Sequence, residues 1–328
     1  MNVLAIESSC DETACAVVRA EGGRVRVLSD VVRGQADHAR FGGVVPEIAS
    51  RAHTEQLVAT VTAALREADV ARPDAVAATA GPGLIGAVLV GLSFGKAAAL
   101  GWGVPFVGVN HLEGHLLSAL LDDPAPAFPF LCLVVSGGHT ALYEARALGD
   151  YRVLCETTDD AAGEAFDKVA RMLGLGYPGG PRVEALAASG NPRAVAFPLP
   201  RPSASPHDLS FSGLKTAVRS WLERHPETSR EDVAASFQDT VARYLLDRIQ
   251  WGATTTGIRR VAIGGGAAAN GRLREALSGS GLEVFLPAKA RCTDNAAMIG
   301  NVAALHLAAG HTPWPLDSTA RARWEVGT

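Results

Sequence analysis

Two histidines four residues apart are the most chemically suggestive feature of the chain. His111 and His115 stand in the segment NHLEGH. An i, i+4 spacing puts both imidazoles on one face of a helix, where they can share one cation. Glu113 lies two residues from each and points elsewhere. The order is not HExxH, in which the glutamate follows the first histidine directly and acts as general base. A third ligand has to come from another segment, and Asp294 in RCTDNAAM is the best candidate. Its place just before a helical pattern suits an N-cap equally well. Two histidines and a carboxylate with open positions suit Fe(2+) or Zn(2+) polarising a carbonyl. Spacing alone leaves metal binding and plain helix packing both open.

Glycine supplies the second clue. Gly accounts for 35 of 328 residues, about 11% against a typical ~7%. The excess sits in short clusters, which excludes collagen-like and low-complexity chains. VVSGGHT (134–140) and IGGGAAAN (263–270) are strand-to-glycine turns. Such turns present unhindered backbone N–H groups to phosphate, and a following helix N-terminus adds a favourable dipole. Turns in an ordinary α/β sheet would look the same.

Composition bounds the function. Hydrophobic residues make up 48% and charged residues 20%, ordinary for a globular chain and incompatible with a disordered tail protein. The net charge of −4 excludes a polybasic nucleic-acid binder, so any nucleic-acid contact needs a local basic surface or a partner. Arg24/Arg26, Arg193/Arg201 and Arg259/Arg260 are the arginine pairs available for one. Five cysteines without CxxC spacing argue against a disulfide framework and for a reducing cytosol, hence a cytoplasmic protein. The start MNVLAIESSC moves straight into a strand pattern and is not read as a signal peptide. Residues 75–95 carry no charge, but their glycines and Pro82 favour a loop and a buried helix over a membrane span.

The elements that position these residues alternate. VLAIESS, TACAVVRA and RVRVLSDVV read as strand, turn, strand, turn, strand. Residues 47–68 have helical spacing, with Ile48, Leu57, Val58, Val61 and Leu65 on one side. AVAATA and PFVGV are strands around a glycine-led helix. FPFLCLVVSGG and HTALYEAR restart the pattern, followed by RVAIGGGAAAN, the helix NGRLREAL, the strand EVFLPA and a helix at 295–310. The expected fold is a duplicated α/β unit with a nucleotide between its halves. The expected boundary is near residue 110, giving a first lobe 1–110 and a second lobe 111–294, with 295–328 packing back on the first. DDPAPAFP (122–129) marks the passage between halves, and PRAVAFPLPRPSASP (192–206) is an extended connection. The tail RARWEVGT is read as peripheral.

Taken together, IESSCDETA, GGVVPEIASRAH, AGPGL, NHLEGH, LVVSGGHT, AGEAFDKVARMLGLGYPGGP, LSFSGLKTA, GGGAAAN and CTDNAAMIGN closely resemble the tRNA N6-adenosine threonylcarbamoyltransferase family, once labelled glycoprotease. The resemblance runs from residue 3 to about 301 in the family's order. It implies an actin-like, sugar-kinase-like (ASKHA) ATPase fold of two lobes around a nucleotide cleft. It implies transfer of threonylcarbamoyl from threonylcarbamoyl-AMP to N6 of adenosine 37 in tRNAs reading codons that start with A. It also implies His111, His115 and Asp294 as ligands of one divalent metal, Fe(2+) before Zn(2+). Val134, Val135, Ser136, Gly137 and Gly138 would form the substrate loop, and Asp167, Gly180 and Asn270 the ribose and base side. Glu184 stands where the family often has Asp. Asp11 and Glu12 in SCDET are the candidate catalytic residues: facing the cleft in such a fold, they would orient tRNA or an acyl group, or else simply satisfy the turn, whereas Cys10 and Cys15 are read as packed.

The implied partners are tRNA, a paralogous non-catalytic subunit on the first lobe, a small P-loop ATPase and a separate threonylcarbamoyl-AMP synthase, with no membrane. The helices at 47–68 and 84–100 are apolar enough for the heterodimer face. A small-molecule kinase or chaperone-type ATPase would share the glycine loops but would not need the His111/His115 pair. A metallopeptidase would need the pair but not the loops.

Overall fold

A run of six residues, Asn2–Glu7 (β1), forms the first strand, and its last five residues are fully buried. A strand covered on both faces must be apolar throughout, and only Glu7 breaks that rule. The computed structural model of the chain describes residues 1–35, 38, 41, 43–200, 202 and 205–327. Gly42 of the GGVVPEIASRAH segment and Arg201 lie outside the described residues.

The chain divides into two compact units, Met1–Ala125 with Asp294–Thr328, and Pro126–Thr293. The crossing point at Ala125/Pro126 falls within the 122–129 stretch and not near residue 110. The reason is packing. The short helix His111–Leu117 (α3) docks on the helix Ala296–Ala308 (α9), so the histidine helix stays with the first unit.

In the first unit, β1 pairs antiparallel with Glu12–Glu21 (β2), which pairs antiparallel with Arg24–Gly34 (β3). On its other side β1 runs parallel to Ala75–Gly81 (β4), which runs parallel to Phe106–Asn110 (β5). The order is β3-β2-β1-β4-β5. One face carries Pro46–Glu67 (α1) and Ile85–Trp102 (α2), which bury Leu57, Val61 and Leu92 against Leu4, Ile6, Cys15 and Val17. Pro46 suits the first turn of α1, where its missing N–H costs nothing. Gly103, at φ 63°, ends α2 in the left-handed conformation.

The second unit repeats this order. Phe130–Val135 (β6) pairs antiparallel with Thr140–Ala147 (β7), and β7 pairs antiparallel with Asp150–Glu156 (β8). β6 also runs parallel to Arg260–Gly264 (β9), itself parallel to Glu283–Phe285 (β10). The order β8-β7-β6-β9-β10 is the first sheet's order again, so the duplication lies in the topology. Helices Ala162–Met172 (α4), Gly179–Ala187 (α5), Ser212–Arg224 (α6), Arg230–Thr256 (α7) and Gly271–Ser278 (α8) complete the unit. Leu133, Val135, Phe166, Phe237 and Tyr244 belong to its core. The sequence periodicity does not single out α4 to α7.

Three expectations need correction. The buried face of α1 is Ala49, His53, Leu57, Thr60, Val61 and Ala64, while Val58 is 62% exposed. Two buried polar positions, His53 and Thr60, rotate the inward stripe away from Val58. α2 is half-buried: Ile85, Leu89 and Leu100 are exposed. It is long and apolar enough to cross a membrane by length and composition, yet here it packs on β4 and α1. The tail is not peripheral. Trp314 N donates to Phe106 O at 2.8 Å, Arg321 N to Ala80 O at 2.8 Å, and Lys96 Nζ to Ser318 O. Arg321 lies over the Trp314 and Trp324 rings.

α9 crosses the opposite face of the first sheet at close range. A Cβ at Gly300 would lie 2.9 Å from Val18 Cγ2 and 3.1 Å from Ala5 Cβ. Gly300→Val is therefore expected to destabilise the protein by about 1–3 kcal/mol, since overpacking outweighs the gain in helix propensity. Urea unfolding midpoints check this, and an unchanged midpoint would contradict the close approach.

Candidate functional site

α3 begins directly at the end of β5. Asn110 caps it, with Oδ1 accepting from Leu112 N at 2.9 Å. Its Nδ2 reaches the tail carbonyls of Trp324 (3.3 Å) and Glu325 (3.4 Å). This fixes the first turn of α3, and with it His111 and His115. The two rings meet edge-on, with centroids 4.7 Å apart.

Asp294 joins them across 179 residues of sequence. Its Oδ1 lies 3.1 Å from His115 Nε2 and 3.6 Å from His111 Nε2. The alternative N-cap role is taken by Asn295, whose side chain accepts from Met298 N at 2.9 Å. Asp294 is thus turned toward the histidines. One donor atom from each of the three residues lies within 4.8 Å of the others. Two imidazole nitrogens and a carboxylate oxygen at that spacing fit a divalent transition metal. Glu113 faces away and accepts from His306 Nε2 at 2.8 Å.

Sequence reasoning missed Glu7. It is fully buried, and its Oε2 lies 2.9 Å from His111 Nδ1. Ser9 N donates to Oε1 and the Thr79 hydroxyl to Oε2, each at 2.5 Å. Ser9 Oγ sits 3.1 Å from His111 Nδ1. A carboxylate behind a ligating imidazole fixes the tautomer and raises basicity. The signal was present, because Glu7 is the one charged residue in the first strand pattern. No such support stands behind His115, whose Nδ1 is buried without a hydrogen-bond partner among the described residues.

The charges shift these groups in opposite directions. Burial raises the Glu7 carboxyl, but the charge of His111 and the hydrogen bond from it bring it below the usual carboxylate range. Burial lowers the His111 imidazole, yet Glu7 and Asp294 raise it to about 9. Asp11 lies in the hairpin turn joining β1 to β2, and Glu12 opens β2, paired with Gly34. Burial first, then the charges of Asp294 and Asp11, push Glu12 up to about 9. Burial pushes the Cys10 and Cys15 thiols up, which disfavours the nucleophilic thiolate.

The second unit places its predicted residues in two groups. Val134 and Val135 are fully buried strand residues in the β6 ladder, so their side chains belong to the core. The turn after them is open: Gly137 and Gly138 are exposed, with nothing within 4 Å of an added Cβ. Ser136 N donates to His139 O at 2.8 Å and closes this turn. The other residues gather along α5. Asp167 Oδ1 accepts from Gly179 N at 2.7 Å, next to the open Gly180. Glu184 Oε1 accepts from Gly271 N at 2.9 Å, and Asn270 Nδ2 approaches Glu184 Oε2 at 3.5 Å. Asn270 also donates to Gln238 Oε1 at 2.8 Å and caps α8 through Leu273 N.

Solved structures share this fold. HypF from T. kodakarensis superposes with a TM-score of 0.66 at 16% identity, over 95% of this chain and 49% of that one, so this chain spans about half of HypF. The activator of 2-hydroxyisocaproyl-CoA dehydratase from Clostridium difficile, with bound ADPNP, gives 0.52 at 13% identity over 94% and 96% of the two chains. The class is the duplicated actin-like α/β fold. The family model described as TsaD, tRNA N6-adenosine threonylcarbamoyltransferase, matches residues 26–301. A protein of that name from Anaeromyxobacter dehalogenans is 51% identical over 335 aligned positions, covering 99% of each chain. Another from Syntrophotalea carbinolica is 49% identical, over 99% of this chain and 97% of that one. The chain belongs to the tRNA N6-adenosine threonylcarbamoyltransferase family. It is a transferase that forms N6-threonylcarbamoyladenosine in tRNA.

The Glu7–His111 pair makes metal-free stability depend on pH. A proton on His111 is held more tightly in the folded state, about 9 against an ordinary 6.5. The stabilisation it gives is complete below about pH 6.5 and disappears as pH rises through about 9. Urea midpoints of the metal-free protein should fall across that window, and Glu7→Gln should flatten the dependence. A slope unchanged by Glu7→Gln would refute the pairing.

Proposed function

We propose that the chain takes threonylcarbamoyl from threonylcarbamoyl-AMP and places it on N6 of adenosine 37 in tRNAs reading codons that start with A. His111, His115 and Asp294 hold one divalent metal, Fe(2+) in preference to Zn(2+). The observation that carries this reading is the convergence of those three side chains beside the Asp11–Glu12 turn.

The metal, when bound, supplies Lewis-acid polarisation of the carbamoyl carbonyl. The chain's own residues do the rest. The Gly137–Gly138 turn offers backbone N–H groups to the adenylate phosphate, as glycine turns do. Asp167, Gly180, Glu184 and Asn270 hold its ribose and base. An aromatic amine is a weak nucleophile, so orientation of the two reactants contributes most. As the N6–carbon bond forms, the carbonyl–phosphate bond breaks and AMP leaves with the electron pair. The amine must also lose a proton. We assign that proton to the carboxylate form of Glu12, which Asp11 holds through their hydrogen bond.

The exposed Val58, Ile85, Leu89 and Leu100 on α1 and α2 suit the paralogous non-catalytic subunit. A small P-loop ATPase and a separate threonylcarbamoyl-AMP synthase complete the system in the cytoplasm.

His111→Ala, as the only source of the protein in a cell, should abolish the modified nucleoside in hydrolysed tRNA. Chelation should do the same in vitro, with recovery on adding Fe(2+). Normal nucleoside levels in that strain would refute the metal role. Leu100→Asp should weaken heterodimer formation about 30-fold, the equivalent of an interface residue worth ~2 kcal/mol, as read by sedimentation. Wild-type association would move the interface elsewhere.

A further inference from the structure

His53 is a fully buried histidine on α1 that the proposed chemistry does not use. Its Nε2 lies 3.0 Å from Cys10 O, and its Nδ1 lies 2.7 Å from Thr13 Oγ1. Those two partners bracket Asp11 and Glu12 in sequence. A carbonyl can only accept, so Nε2 carries the hydrogen and Nδ1 accepts from the Thr13 hydroxyl. One neutral ring thereby holds both ends of the turn.

The rest of the turn is tied down as well. Leu84 N donates to Ser9 O at 2.9 Å, and Ser9 N donates to Glu7 Oε1. Asp11 and Glu12 stand between the two partners of His53, and Glu12 is also paired with Gly34 in the β2–β3 ladder. His53 is itself braced. Gln35 Nε2 lies 3.5 Å from its Nδ1, and Gln35 Oε1 lies 2.8 Å from Nε2 of the buried His38. Burial holds the His53 imidazole below its ordinary value, which keeps it in the neutral form that the two hydrogen bonds require. A buried ring with two opposed partners is a costly feature if it serves packing alone, because a Leu would fill the same space without needing partners.

We infer that His53 is a positioning residue that clamps the Cys10–Thr13 turn and so sets the placement of Asp11 and Glu12 for acyl transfer to tRNA. This rests on the proposed reading that the turn takes part in the reaction. The hydrogen-bond partners of His53 among the described residues are Cys10, Thr13 and Gln35, so its removal separates turn geometry from metal binding.

The test compares His53→Ala, His53→Gln, Thr13→Val, Asp11→Asn and Glu12→Gln in the complete modification system. Steady-state kinetics for tRNA, metal content and urea midpoints are measured for each. His53→Ala is expected to lower kcat roughly 10–100-fold, the usual scale for supporting residues, with KM for tRNA and metal content unchanged. Thr13→Val should move kcat in the same direction. His53→Gln, whose amide can donate to Cys10 O and accept from Thr13, should recover kcat to within about threefold of wild type. Nitrogen-15 spectra of the wild-type ring should report the neutral Nε2–H tautomer from pH 6 to 8.

A wild-type kcat for His53→Ala beside an impaired Glu12→Gln would overturn the clamp alone. Losses in kcat that merely track unfolding or metal loss, a His53→Gln no better than Ala, or an Nδ1–H tautomer would each overturn it too. Wild-type kcat in both Asp11→Asn and Glu12→Gln would instead remove the reading on which the clamp rests.

Discussion

A carboxylate with no access to solvent sits at the end of the first strand, and the surrounding structure has to satisfy it. An ionised carboxylate in an apolar interior needs a charged or strongly donating partner on every side. Glu7 obtains His111 at 2.9 Å, Thr79 at 2.5 Å and its own chain at Ser9. These partners come from β5's continuation into α3, from β4, and from the turn after β1. Satisfying one side chain therefore fixes how three segments meet. The same contact leaves His111 Nε2 directed at Asp294.

The duplicated topology explains where chemistry gathers in each unit. In both sheets the first strand turns back on the second through a tight hairpin, and the fourth runs parallel on the first strand's other side. The first unit places Cys10 and Asp11 in its hairpin and Glu12 at the start of β2, and the second fills the equivalent turn with Gly137 and Gly138. One turn concentrates carboxyl groups; the other exposes bare backbone. In the proposed reaction they would serve acid–base work and phosphate recognition, which make opposite demands.

Residues that the sequence hides do much of the placing. Asn295 takes the cap of α9, which releases Asp294 toward the histidines. Asn110 caps α3 while gripping the tail near Trp324. Glu113 is drawn outward to His306. Each is a polar side chain next to a residue of greater apparent interest. The docking of α3 on α9, across Gly114, Met298 and Ile299, is what brings His111 and His115 up to Asp294.

Periodicity, spacing and turn chemistry were legible in the chain itself. They gave the alternation of strands and helices, the shared face of His111 and His115, the glycine turns and, through resemblance, the family. These are short-range properties, fixed by backbone geometry within a few residues. The inward face of α1, the placing of Glu7 behind His111, the capture of the tail and the choice between cap and ligand for Asp294 were not legible. They depend on contacts between segments far apart in the chain, from the 35 residues that separate Ser29 from Ala64 of α1 to the 104 between Glu7 and His111, the 179 between His115 and Asp294 and the 222 between Lys96 and Ser318. No local pattern encodes such distances, because burial and charge pairing are decided only when the segments pack.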